Sequence, residues 1–396
     1  MRIVEIENTS YAERELQNIG SDPAGIRIMA PKSVFRVLKL NKIPSVAANV
    51  LKQEMLSLGG EAATSYHSVD LSSRTTDLLI MGSQRQLRQL VKKLKLHAFG
   101  LPRTAVKIET ALQNYDHPPA PLRIGGKTFH WGRRTYLMGI LNLTPDSFYD
   151  GGKYFNPVAA LKQAQELIDA GADIIDVGGE STRPGARPVP VKEELRRVLP
   201  VIAALKKYSV VISIDTRKAA VAEAALKAGA HIINDISALR HDKSMAKVAA
   251  LYSAPVILMH MQGDPQTMQR KPAYRELISE IMDHLEGSIA IARKAGIPQD
   301  HIIVDPGFGF GKLPEHNLEI LKRLKEFRIL GCPLLIGTSR KSTIGAVLNA
   351  PAEERLWGTA ATVAIAISKG ADIIRIHDVD KLRQVAKMSD AIVRRK

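Results

Sequence analysis

The stretch "VVISIDTRKAAVAEAALKAGAHIINDIS" (Val210–Ser237) contains one full structural unit. It opens on a short, β-branched apolar run that ends in Asp215. An alanine-rich segment with helical spacing follows and stops at Gly229. A second β-branched run then ends in Asn234. Apolar runs without polar alternation are the mark of strands buried on both faces, and glycine is a common helix stop. The stretch therefore predicts a strand, a crossover helix and a parallel strand.

The same rhythm extends in both directions. Strand candidates are "TYLMGILNL" from Thr135, "ADIIDVGG" from Ala172, "VVISIDT", "HIINDIS", "PVILMH" from Pro255, "HIIVDPG" from His301, "PLLIGTS" from Pro333 and "DIIRIHD" from Asp372. Eight strand–helix units in succession match a (β/α)8 barrel better than a doubly wound open sheet. Their C-terminal ends carry Asn142, Glu180, Asp215, Asn234, His260, Asp305, Ser339, Arg375 and His377. A barrel brings those ends together in space, so they predict an active site at one mouth. "KTFHWGRRTY" (Lys127–Tyr136) reads as a hairpin that covers the opposite end.

Before the barrel, "NYDHPPAPLRIGG" (Asn114–Gly126) has the proline and glycine content of a linker. The expected organisation is a small α+β domain over residues 1–115, a linker over 116–127 and a barrel over 128–396. In the first domain, "RIMAPKSVFRVLKL" suggests strands and "PSVAANVLKQEMLSLGG" a helix from Pro44 to the Gly59-Gly60 stop. "EAATSYHSV" and "TTDLLIMG" suggest strands, followed by a helix from Gln84. His67 and His97 have no partners at metal-ligand spacing.

Bulk properties narrow the function. The chain has 396 residues, 45% of them apolar, and a net charge of +16. The first 120 residues hold 16 Lys/Arg against 11 Asp/Glu, so the basic character is spread over both parts. No Arg-Gly or lysine tract marks a nucleic-acid binder, whereas an anionic small substrate suits the charge. One cysteine, Cys332, excludes a disulfide framework or a cysteine metal site. No apolar run approaches the roughly 18 residues a membrane helix needs. A soluble protein of a reducing compartment, the cytoplasm, is expected.

"VDPGFGFGK" (Val304–Lys312) invites comparison with phosphate-cradling loops. A Walker loop requires glycine where Pro306 stands and a hydroxyl residue where Leu313 stands. The dinucleotide fingerprint requires its third glycine where Lys312 or Pro314 stands. The loop is neither, and Asp305 at the strand tip becomes its functional residue. "ILNLTPDSFYDGG" and "GGESTRPGARPVP" leave the first and second strands as polar loops suited to a lid. They offer Asn142, Thr182 and Arg183, with Pro184 fixing the backbone. Asn142 offers an oxygen to a hard cation or an amide to phosphate. Asp215, Asn234 and Asp305 suit a flat heterocycle rich in N–H donors, with Ser339 and Lys341 completing the ring of contacts. Arg375 and His377 alternate on the last strand and suit a phosphate or pyrophosphate.

Taken as an ordered set, "ILNLTPDSFYDGG", "IDVGGESTRPGA", "SIDT", "INDIS", "LMHMQGDPQTMQ", "VDPGFGFGK", "GTSRKS" and "IRIHDV" resemble the dihydropteroate synthase family over residues 135–379. The resemblance implies that a dihydropterin-methyl pyrophosphate is joined to 4-aminobenzoate, with Mg2+ and release of pyrophosphate. It implies that Asp215, Asn234, Asp305 and Lys341 hold the pterin, with Ile236 and Met259 lining its slot. Asn142, Arg183, Arg375 and His377 are then expected to hold the pyrophosphate, with Mg2+ near Asn142. Phe148, Thr182, Pro184, Phe310 and Ser342 are expected to shape the aminobenzoate site, with Asp150 on a closing loop. A homodimer is also implied. Asp264 stands where a small or hydroxylated residue is more usual. The nearest rival is a pterin-dependent methyltransferase barrel, which has no need for the pyrophosphate-clamping "ESTRPG", "SRKS" and "RIHD". Residues 1 to about 120 lie outside the resemblance.

Overall fold

The computed structural model describes residues 1–144, 149–150, 154–183 and 185–394, with backbone alone for 149–150 and 154–155. It divides into two compact units, Met1–His117 and Pro118–Lys396.

In the first unit, helices α1 (Thr9–Asn18) and α2 (Pro23–Ser33) precede strand β1 (Phe35–Pro44). Helix α3 (Ser45–Ser57), strands β2 (Glu61–Thr64) and β3 (Thr75–Ser83), and helices α4 (Gln84–Leu94) and α5 (Leu101–Asp116) follow. The sheet order is β1-β3-β2, antiparallel at both pairings. Arg27–Lys32 is helical where the apolar run suggested a strand. The Asp22 side chain accepts from the Ala24 and Gly25 amides, with Pro23 in the first turn, and so starts a helix there. This unit has its own core, with Leu51, Met55, Leu78, Ile80, Leu87 and Leu90 all fully buried. His97 pairs with Glu54 at 2.9 Å.

The second unit is the expected barrel. Among the described residues its parallel strands are β6 (Tyr136–Asn142), β9 (Ile174–Gly178), β10 (Val211–Asp215), β11 (Ile232–Asp235), β12 (Val256–Met259), β13 (Ile302–Asp305), β14 (Leu335–Ile336) and β15 (Ile373–Ile376). They run in the order β13-β12-β11-β10-β9-β6-β15-β14, and a parallel bridge between Val304 and Leu334 brings the two ends together. A two-stranded ribbon, β7 (Tyr149–Asp150) with β8 (Tyr154–Phe155), follows β6.

Strand alternation makes every second residue face the barrel axis. Near the strand starts that inward layer is Met138, Ile174, Val211, Ile232, Ile257, Ile303, Leu335 and Ile373, one from each strand. The same cluster contains Leu122, Ile124, Phe129, Trp131 and Tyr136, which plug this end. The plug is a hairpin of β4 (Leu122–Ile124) and β5 (Lys127–Phe129), so its first strand lies inside the stretch whose composition read as linker. Its apolar alternation, Leu122 and Ile124 buried and Arg123 out, is too short to stand out against the flanking prolines and glycines.

Candidate active site

Moving two residues along each strand from the apolar layer gives Ile140, Asp176, Ser213, Asn234, Met259, Asp305, Gly337 and Arg375. The axis therefore turns from hydrocarbon to charge within one step of the pleat. Arg375 is the hub. Its Nε donates to Asp176 Oδ2 at 2.6 Å and its Nη2 to Asp215 Oδ2 at 2.8 Å. Asn234 Nδ2 donates to the same Asp176 oxygen at 3.0 Å. Asp176 is fully buried, and its Oδ1 has no hydrogen-bond partner among the described residues. The residue was not singled out from the sequence because it sits inside "IIDVGG" rather than at its end. Its parity with the apolar Ile174 was the available signal.

Burial sets the protonation behaviour. Asp215 is pushed up to about 7, chiefly because its carboxylate is desolvated; Arg375 opposes the shift and Asp176 adds to it. Asp305 is pushed up to about 6 by burial, against an amide hydrogen bond from Gly307 at 2.7 Å and the nearby charge of Lys341. Lys341 is pulled down to about 8 by desolvation and by Arg375, with Asp305 and Asp215 resisting. The guanidinium of Arg375 stays charged, because the surrounding carboxylates outweigh its own desolvation.

The other expected residues fall into three groups. Ile236, Met259 and Phe310 share one apolar cluster with Met268, and Lys341 Nζ stands 4.1 Å from the centre of the Phe310 ring. Asn142 and Asp215 flank Gly178: a Cβ there would lie 3.6 Å from Asn142 Oδ1 and 3.6 Å from Asp215 Cβ. Ser339 Oγ meets His377 Nδ1 at 3.0 Å at the outer rim, so Arg375 and His377, although alternate in sequence, meet different partners.

Thr182 and Arg183 lie on the loop after β9, half-buried and exposed respectively. Glu180 anchors that loop through Arg217 at 3.0 Å and through Lys218, which also holds the buried Glu194. Ser342 is exposed at the start of helix Ser342–Leu348. Phe148 and Pro184 lie outside the described residues, and Asp150 is described by its backbone in β7. Asp264 caps its own turn, accepting from the Gln266 and Thr267 amides and the Thr267 hydroxyl, each at 2.9 Å. Among the described residues no group of three His, Cys, Asp or Glu side chains is placed to hold a metal ion.

A buried charged network with an apolar cluster of Ile236, Met259 and Phe310, at the C-terminal mouth of a (β/α)8 barrel, suits a donor-rich heterocycle. The chain belongs to the family of pterin-binding enzymes, whose model matches residues 138–377. It is 52% identical over 276 residues to the dihydropteroate synthase of Clostridium beijerinckii, covering 69% of this chain and all of that protein. The crystal structure of the Yersinia pestis dihydropteroate synthase with a sulfonamide drug complex superposes with a TM-score of 0.66 at 45% identity, covering 69% of this chain and 99% of that one. Within the family the chain belongs with the dihydropteroate synthases, transferases of folate biosynthesis. A probable bifunctional folylpolyglutamate synthase/dihydropteroate synthase of Halobacterium salinarum is 40% identical over 388 residues, 98% of this chain and 46% of that protein. That match is longer than the barrel unit, so the N-terminal unit also has a counterpart there.

Proposed function

We propose that the barrel joins a dihydropterin carrying a pyrophosphate-activated methyl group to 4-aminobenzoate, forming dihydropteroate and pyrophosphate. The observation that carries the residue roles is the buried Asp176–Arg375–Asp215 arrangement with Asn234 beside it. Asp215, Asn234 and Asp305 accept from or donate to the edge of the pterin, and the unpartnered Asp176 Oδ1 is a further acceptor for a ring N–H. Lys341 donates from the other side, and Ile236 and Met259 wall the ring.

Asn142, Arg183, Arg375 and His377 receive the pyrophosphate. The only oxygen among these for a hard cation is that of Asn142, which fits an ion carried in by the substrate and still partly hydrated rather than a resident one. Asn142 would hold Mg2+ there, and the ion would supply charge neutralisation for the pyrophosphate leaving group. The carboxylates of Asp215 and Asp176 favour the positive charge that develops on the pterin methylene as the carbon–oxygen bond breaks. An arylamine is neutral near physiological pH, so Thr182, Pro184, Phe148, Phe310, Ser342 and Asp150 have only to place its nitrogen in line. The amine then forms the new carbon–nitrogen bond and loses a proton to solvent.

The assembly is a homodimer. The exposed apolar side chains Leu348, Trp357, Ile365, Met388 and Ile392 on the last three helices offer a surface that a second copy would cover. The protein works in the cytoplasm, consistent with its lone buried thiol, Cys332. No helix among the described residues is long and apolar enough to cross a membrane.

The test is to mix the protein with the pterin pyrophosphate and Mg2+, with and without 4-aminobenzoate. Pyrophosphate release that depends on the arylamine, in step with dihydropteroate, is expected. Release without it, or none in either mixture, sinks the reading.

A further inference from the structure

Lys312 is fully buried and has no step to perform in the reaction. Its Nζ lies 2.9 Å from His260 Nδ1, 2.9 Å from the Gly307 carbonyl oxygen and 3.0 Å from the Phe310 carbonyl oxygen. The His260 carbonyl oxygen lies further off at 3.4 Å, so four acceptors surround a group that has three N–H donors as an ammonium and two as the neutral amine. Burial pulls Lys312 down to about 7, and in either form its N–H groups have the Gly307 and Phe310 carbonyls as partners. Burying such a group is costly unless every donor is met, and a hydrocarbon side chain would fill the space more cheaply. The acceptors point to the reason for a lysine: they tie the tip of β12 to the loop after β13.

The two segments touch closely. A Cβ on Gly307 would lie 1.8 Å from the His260 carbonyl oxygen, and one on Gly311 would lie 2.6 Å from that of Gln262. Both glycines also have positive φ, +73° and +62°. From outside, Gln269 Nε2 donates to the Gly309 carbonyl at 3.1 Å, and the Tyr274 hydroxyl donates to the Gly311 carbonyl at 2.7 Å. Phe310 sits at the centre of this strap with its ring facing Lys341.

We propose that Lys312 is a positioning residue for the arylamine half of the site. By holding the Gly307 and Phe310 carbonyls against His260, it fixes the Phe310 ring beside Lys341 and so sets the affinity for 4-aminobenzoate without touching either substrate. The inference rests on Phe310 being a wall of the arylamine site.

The test compares the full-length wild type with Lys312→Met at pH 8, where Asp305 is ionised in both. The KM for 4-aminobenzoate is measured at saturating pterin pyrophosphate, and the dissociation constant of the pterin pyrophosphate is measured by calorimetry. An arylamine KM raised about tenfold with pterin affinity changed less than about twofold is expected. An unchanged KM, or equal losses for both substrates, overturns the proposal. If Lys312→Met does not fold, Tyr274→Phe and Gln269→Ala, which loosen the same strap from its solvent side, decide it. Each is expected to raise the arylamine KM about two- to fourfold, and no rise in either overturns it. An inactive wild type would instead remove the enzymatic reading itself.

Discussion

The two ends of the barrel are built from the same strands, yet one end is hydrocarbon and the other is charge. At the closed end, Ile174 and Ile373 meet Phe129 and Trp131 from the hairpin. Two residues further along the same strands, Asp176 and Arg375 form an ion pair at 2.6 Å. Apolar packing at the closed end stabilises the unit, and that stability holds desolvated charges at the mouth, where burial raises two carboxylates and lowers a lysine. Substitutions at the mouth should therefore change chemistry first, and those at the plug should change stability first.

The largest effect is expected at the mouth. If Asp215 stabilises developing positive charge, Asp215→Asn keeps its shape and loses about 10²- to 10³-fold in kcat. Steady-state turnover of the purified variant checks this, and near-normal kcat would remove the electrostatic role. Arg375→Met is expected to do more harm to the fold. It leaves Asp176 and Asp215 facing each other without the cation, a cost of about 3–5 kcal/mol, measurable by urea denaturation. Retained stability there would mean that water already screens the pair.

Much of this division was legible in the sequence. Eight β-branched runs with polar tips required a barrel mouth, and Asp215, Asn234 and Asp305 all face the axis. Asp176 was not legible as a tip, because the strand runs two residues past it and ends at Gly178. Arg375 is also more committed than its sequence suggested: two carboxylates already hold it, which only the barrel's closure across β15, β6 and β9 reveals. Nor could spacing show that Lys312 turns inward, since a lysine after three glycines reads equally well as a solvent-facing one. The helix over Arg27–Lys32 was obscured by Pro31, which the structure accommodates inside α2.

At the closed end the expected effect is on stability alone. Trp131 is buried against Phe129 and Tyr136, with ring centroids 5.5 and 5.4 Å away. Trp131→Ala should cost about 3–5 kcal/mol in chemical denaturation. The kcat of the folded fraction should stay within about twofold, because the apolar cluster that holds Trp131 contains none of the described site residues. A large fall in kcat with little loss of stability would show that the two ends are coupled.

A smaller effect concerns pH. The free enzyme's kcat/KM for the pterin pyrophosphate should rise as Asp305 and then Asp215 lose their protons, near 6 and 7, since only the carboxylate accepts ring N–H groups. It should fall above about 8 as Lys341 loses its charge. Stability moves the opposite way on the acidic limb. Both carboxyls sit above their ordinary 3.8, so their contribution is full below that value and is lost as pH rises through 6 to 7. Asp305→Asn should remove the lower inflection in kcat/KM while leaving the alkaline one. A profile unchanged by that substitution would assign the inflection to the substrate.

The smallest effect is expected from removing residues 1–117. The barrel unit carries its own core and plug, and the Clostridium beijerinckii relative is matched over its full length by 69% of this chain. A protein of residues 118–396 should therefore fold and keep kcat within about twofold. The first unit has a separate core around Leu51 and Leu87 and should unfold in its own transition when the intact chain is heated. One shared transition, together with a large loss of turnover on truncation, would show that the N-terminal unit takes part in the catalytic mouth.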